Sequence, residues 1–285
     1  MIDSYKNWLY SKVTSSYKDK ILFPNQFSAD YTFPTSLGFV ERQEKITFHT
    51  NIAKSKYVGA ARIYTQREIK YNLNELGFRT WENFEEGGDV NIFLGCSHTF
   101  GYGIYQEYTW SYKLNEYLTE RDGIKYKYWN IAVPGSGVDT QFRVLYQLLQ
   151  KFGSKIKIHN IFHFAPYYNR YEYFLTSNNN IENPEILSHH NCVDYIKPEK
   201  LISHFLSDTA ISFNQIKAIE AIHSIAKEYN ANYKITSFDF LTDTKELEYF
   251  VDFMYESELH DLPARDFSHI SYYDNHKLFS YFVEK

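Results

Sequence analysis

Residues 95–103 read GCSHTFGYG and directly follow the apolar run VNIFL. A serine two residues past a buried strand, flanked by glycines, can present its hydroxyl to a substrate. That hydroxyl is a poor nucleophile until a base accepts its proton, and the base works best when a third group orients it. The stretch ARDFSHIS (264–271) offers such a pair, with Asp266 three residues before His269. At that spacing the carboxylate can hold one imidazole nitrogen while the other faces outward. Ser97, His269 and Asp266 together could break an acyl bond through a covalent intermediate. Each alone has a plainer reading, since Gly and Ser punctuate turns and an Asp or Ser in the last loop can cap the final helix.

Other reactive residue types carry less. His98 adjoins the serine, but neighbouring side chains in a turn usually diverge, so it reads as a packing or substrate contact rather than as the base. HHNC (189–192) has metal-type ligands without a second spaced pair and reads as solvated loop. Phe100, Tyr102 and Trp110 are core or a substrate wall, with core the better reading for Trp110 on its helix.

To meet, such residues need elements that bring them to one place. DVNIFLG (89–95), KYKYWNIA (125–132), KIKIHNIFHF (155–164) and YKITSFD (233–239) are strand candidates. Helical stretches lie around 109–120 and along Val138, Phe142, Leu145, Leu149 and Phe152. A further amphipathic helix is marked by Phe213, Ile216, Ile219, Ile222, Ile225 and Tyr229. Strands alternating with helices predict an α/β fold, a parallel sheet with helices on both faces. In such sheets ligands bind beyond the carboxyl ends of the strands, near the point where strand order reverses. Ser97 follows the first of these strands and PGSG (134–137) the second, so both belong to that edge. Residues 175–197, LTSNNNIENPEILSHHNCVDYIK, form a polar insertion after the third strand and are expected to overlie the serine edge as a lid or substrate-selecting wall. Residues 1–88 are aromatic and irregular, with short extended candidates such as KITFHTNI (46–53), and are expected to wrap a core domain of residues 89–285.

The combination is more specific than its parts: Gly95, Ser97, Thr99 and Gly101 as G-x-S-x-T-x-G, Asn130, Ala132 and Gly135 as N-x-A-x-x-G, and Asp266 with His269 as D-x-x-H. Over residues 89–285 the chain resembles the SGNH (GDSL-type) serine hydrolases, and NELGFR (74–79) is similar to the N-S-x-G-F-R segment that often precedes their serine block. The resemblance implies a three-layer α/β/α fold with a flavodoxin-like sheet. It implies Ser97 as nucleophile, His269 as general base and acid, Asp266 as the orienting carboxylate, and an oxyanion hole containing the Ser97 and Gly135 backbone N–H groups. Cys96 stands where the family has Asp, and Ala132 where it has Gly. No G-x-N-D follows the third strand. That region reads FAPYYNRYEYF (164–174), where Asn169 could supply the missing side-chain donor, with Tyr167 and Tyr168 as rivals.

Composition narrows the classes further. Of 285 residues 44% are hydrophobic and 23% charged, as in a globular chain rather than a disordered one. A net charge of −5 and the lack of a long basic run argue against nucleic acid. The 27 Tyr and 23 Phe fit either a coding bias or sugar-stacking surfaces. Two cysteines make no disulfide framework, the N-terminal stretch lacks the apolar region of a signal peptide, and no run is long enough to span a membrane. The expectation is a soluble cytoplasmic esterase or deacetylase acting on a small-molecule or glycan ester, with no cofactor or metal. The same residues could transfer the acyl group to an acceptor, and a non-catalytic glycan- or protein-binding module on the same fold is the alternative.

Overall fold

The computed structural model describes residues 35–37, 69–166, 170, 172–175, 185–188, 208–238, 253–255 and 272–284. Five strands form one sheet: β3 (Gly88–Gly95), β4 (Lys127–Asn130), β5 (Ile156–Ala165), β8 (Asn232–Phe238) and β9 (Phe253–Tyr255). Their order is β4-β3-β5-β8-β9, and every neighbouring pair is parallel. Two antiparallel ribbons stand beside it in the chain, β1 (Thr35–Leu37) with β2 (Tyr71–Leu73), and β6 (Glu172–Leu175) with β7 (Glu185–Ser188).

The helices are α1 (Ser97–Phe100), α2 (Trp110–Asp122), α3 (Val138–Phe152), α4 (Asp208–Glu228) and α5 (Tyr272–Glu284). Thr109 starts α2, its hydroxyl accepting from the Tyr112 N–H at 3.3 Å, and a left-handed Gly123 ends it. The path runs from β3 through α2 to β4, then back through α3 to β5 on the other side of β3. Parallel crossovers are right-handed, so reversing direction puts α2 and α3 on opposite faces.

The core shows both faces. Val90, Ile92 and Leu94 of β3 join a largely aliphatic cluster with Val144, Leu145 and Leu148 of α3 and Ile219 and Ile222 of α4. Phe93 points the other way, into an aromatic cluster with Trp110 of α2, Tyr128, Phe162 and Phe164 of the sheet, and Phe282 of α5. A strand covered on both sides reads as a continuous apolar run instead of an alternating one, which is why VNIFL was legible. Trp110 is core, stacked on Phe282 with ring centroids 4.9 Å apart. Asn91, Asn160 and Asn232 form a side-chain ladder across β3, β5 and β8, with bonds of 2.8 and 3.3 Å. A one-residue slip would turn these amides to the wrong face, so the ladder supports the register.

Three expectations need amendment. Phe213 does not belong to the packed face of α4: it is 60% exposed, with the Lys217 ammonium 5.2 Å from its ring centre. Steps of three residues drift around a 3.6-residue helix, so nine residues put Phe213 roughly 180° from buried Ile222. The insertion is not all loop, because Glu185–Ser188 pairs with Glu172–Leu175. Finally, β9 extends the sheet by a strand too short to stand out in the sequence. The extended candidate at 46–53 lies outside the described residues. No described helix is long and apolar enough to cross a membrane.

Candidate active site

Where β3 ends, neighbouring connections leave in opposite directions, and a crevice must open at that carboxyl edge. Cys96 leads out in extended conformation, and its carbonyl accepts from Thr99 and Phe100 at 3.1 and 2.9 Å. Ser97 is therefore the first residue of a single helical turn, which left-handed Gly101 closes by donating to the Ser97 carbonyl. First-turn N–H groups have no partner within their own helix. Among the described residues, the Ser97 N–H has no acceptor. Ser97 itself is 6% exposed.

The second turn forms beside it. Ser136 donates to the Val133 carbonyl at 3.1 Å, closing a turn over Pro134 and Gly135, and Gly135 has φ 77°. Proline followed by a glycine of positive φ is the pattern of a type II turn; a Cβ at Gly135 would be strained there. The turn's own bond uses the Val133 carbonyl and the Ser136 N–H. The Gly135 N–H, on the central peptide, has no acceptor among the described residues.

The Gly135 turn is stitched to the last carbonyl of β3, the strand from which the chain runs directly into the serine turn. The Gly95 oxygen accepts from the Val133 N–H at 3.0 Å and from the Ser136 hydroxyl at 3.3 Å. The structure thus brings Ser97 and Gly135 to adjoining turns on one sheet edge, as the sequence predicted.

Each turn is also held from within. Asn130 ends β4, and its amide donates to the Thr99 carbonyl at 3.1 Å and the Tyr128 hydroxyl at 2.9 Å. Its Oδ1 accepts from the Ala132 N–H at 3.2 Å. Tyr128 is 2.7 Å from Ser111 Oγ, and burial pushes its phenol up, which keeps it neutral. The asparagine of N-x-A-x-x-G therefore ties the serine turn to β4. On the opposite side, Gln141 of α3 donates to Ser136 Oγ at 3.0 Å, and its Oε1 lies 2.6 Å from His163 Nε2. His163 Nδ1 in turn lies 2.9 Å from the Tyr233 hydroxyl. His163 is fully buried, and that burial pushes its pKa down to about 3.

NELGFR acts at the serine turn's far end. Asn74 Oδ1 accepts from the N–H groups of Leu76 and Phe78 at 3.1 and 3.0 Å, shaping a tight turn that sends Arg79 inward. The fully buried guanidinium donates to the carbonyls of Phe100, Gly101 and Ile104 and lies 4.4 Å from the Tyr71 ring centre. Tyr71 accepts from the Gly103 N–H at 2.8 Å. The glycine-rich loop after Ser97 is thus clamped by a segment that precedes β3. Arg79 entered the sequence reading only as a motif letter, and Gln141 and His163 did not enter it. A histidine inside the apolar run IFHFA was the available signal, since a buried polar side chain demands a partner.

The loop after β5 reaches the second turn. A Cβ on Gly137 would come within 2.5 Å of the Arg170 carbonyl oxygen, so that position needs a side chain of no size. Arg170 O also accepts from Gln215 of α4. Asn169, Tyr167, Tyr168, Asp266 and His269 lie outside the described residues, as do HHNC (189–192) and Cys192. Cys96 is a buried free thiol. His98 is 7% exposed and its ring centre lies 6.2 Å from that of Phe164. Among the described residues no group of three or more His, Cys, Asp and Glu could hold a metal ion. A scan against protein-family models finds no match to this chain, and a search of curated proteins finds none either.

Proposed function

We propose that the protein is a serine hydrolase of acyl esters on a three-layer, flavodoxin-type α/β/α fold. The observation that carries the reading is the joining of two turns at the end of β3, with the N–H groups of Ser97 and Gly135 both left without an acceptor among the described residues. Donors aimed at one place and already fixed there stabilise a developing oxyanion without reorganising during the reaction. The strand order, written from β3 as first strand, is 2-1-3-4-5, which supports a site at this edge.

In this mechanism Ser97 Oγ attacks the acyl carbon while His269 takes its proton, and Asp266 orients the imidazole. Negative charge on the former carbonyl oxygen is held by the Ser97 and Gly135 N–H groups and by the Asn169 amide. Asn169 directly precedes Arg170, whose carbonyl abuts Gly137. Collapse expels the alcohol, which His269 protonates, and leaves an acyl group on Ser97. His269 then deprotonates a water that attacks this acyl-enzyme, and collapse releases the acid and restores Ser97 Oγ–H. An acceptor hydroxyl in place of that water gives acyl transfer.

A fluorophosphonate probe should label the full-length protein, and Ser97→Ala should abolish both labelling and hydrolysis of p-nitrophenyl acetate. A folded wild-type protein that resists the probe and hydrolyses nothing would point instead to a non-catalytic binding module.

A further inference from the structure

The Gly135 turn is fixed by more than its own backbone. Four buried or half-buried side chains from three elements and the turn form one uninterrupted path: Ser136, Gln141 on α3, His163 on β5 and Tyr233 on β8. Their donors and acceptors allow one complete assignment. Gln141 Nε2 donates to Ser136 Oγ, so the Ser136 hydroxyl hydrogen is left for the Gly95 carbonyl. Gln141 Oε1 can only accept, so His163 must carry its proton on Nε2. His163 Nδ1 is then bare and accepts from the Tyr233 hydroxyl. Every link runs the same way, from Tyr233 to the Gly95 carbonyl that anchors the Gly135 turn.

We propose that His163 is a positioning residue for the serine site, holding the Gly135 N–H in place through Gln141 and Ser136. The inference rests on reading Gly135 as an oxyanion donor. The neutral tautomer gives this path its single direction, because a protonated ring would keep its Nε2–H on Gln141 but carry a second hydrogen on Nδ1, and the phenol would have to turn and accept it. The deep burial that pushes the His163 pKa down to about 3 keeps it neutral at any working pH. Histidine also has the right length. Its two ring nitrogens join partners that are 22 and 70 residues away in the chain, and no aliphatic side chain at 163 could do so.

A role in general packing and a role in positioning separate in two measurements on the full-length protein. The variants are Gln141→Leu, which cuts the path at its centre, and the milder Ser136→Ala and Tyr233→Phe. The first measurement is amide hydrogen exchange at Val133 and Ser136, whose N–H groups are hydrogen-bonded to Gly95 and Val133. Exchange there should accelerate about tenfold or more in Gln141→Leu, while β3 and β5 stay protected. The second is p-nitrophenyl acetate hydrolysis, where kcat should fall about 10- to 100-fold with KM within about twofold, as for a misplaced catalytic group. Tyr233→Phe should follow in the same direction by a smaller amount. Unchanged local exchange in all three variants overturns the proposal. So does a kcat loss that only tracks the fraction of protein unfolded. If the wild-type protein proves to hydrolyse nothing, the esterase reading falls, and the exchange measurement alone still decides whether this path holds the turn.

Discussion

The two turns that meet at the end of β3 are held from opposite faces of the sheet, and by different chemistry. The serine turn is secured on the aromatic face by Asn130, Tyr128 and Ser111, and farther along by the Arg79 guanidinium. The longest of those bonds, from Asn130 to the Thr99 carbonyl, spans 31 residues of chain. The Gly135 turn is secured on the aliphatic face by a path that runs through α3, β5 and β8 and contains a titratable histidine. In the proposed mechanism Ser97 and Gly135 must hold one distance between them, yet the side-chain networks that flank their turns share no residue. Damage to one network should therefore leave the other turn in place, and His163 should make folding stability, rather than the folded site, sensitive to acid.

The largest effect is expected at Asn169, the proposed side-chain donor to the oxyanion. Asn169→Ala should lower kcat by ~10²-fold or more with little change in KM, because an oxyanion bond strengthens mainly in the transition state. Tyr167→Phe and Tyr168→Phe should then be nearly silent in the same assay. Full activity in Asn169→Ala beside a loss in one Phe variant would move the role to that tyrosine.

Next comes Asn130→Ala, which leaves the buried Thr99 carbonyl with the long 3.5 Å bond from the Ser111 hydroxyl and removes the acceptor of the Ala132 N–H. Unsatisfied buried groups cost about 1–3 kcal/mol each, so urea denaturation should show a loss of that order. Exchange should quicken at Thr99 and Phe100 and stay unchanged at Ser136, where a shared loss would show the networks to be one.

The pH response should single out the other side. His163 stays neutral in the folded protein down to about pH 3, whereas the unfolded chain takes up the proton near the ordinary 6.5. Its contribution to stability is thus full above about pH 6.5 and is lost progressively as pH falls towards 3. Thermal melts between pH 7.5 and 4.5 should show a shallower decline in His163→Gln than in wild type. Parallel curves would remove histidine titration from the account. The smallest effect is assigned to Ser111→Ala, which deprives Tyr128 of a partner at the rim of its network while Asn130 keeps its bonds. A change of about 1 kcal/mol or less is expected by denaturation, and a larger one would move the weight of the serine network from Asn130 to α2.

The amino-acid sequence by itself determined β3, β4, β5 and β8 of the sheet and the main helices. Apolar runs such as VNIFL have to be buried on both faces, and glycine at 135 is called for by a backbone of positive φ. It also determined that the serine and PGSG segments share the carboxyl edge, since each follows a parallel strand. Tertiary structure alone decided what stands opposite each side chain. Periodicity reports which way a residue faces but not its partner, so His163 could be seen to be anomalous in an apolar strand while Gln141 and Tyr233 could not be chosen for it. The same holds for Arg79, whose carbonyl partners are 21 to 25 residues away, and for Phe213, left in solvent by a spacing that drifts around its helix. Strand order was settled last, by pairings between distant segments that no local pattern encodes. That order places β3 between β4 and β5, and so puts the two turns side by side.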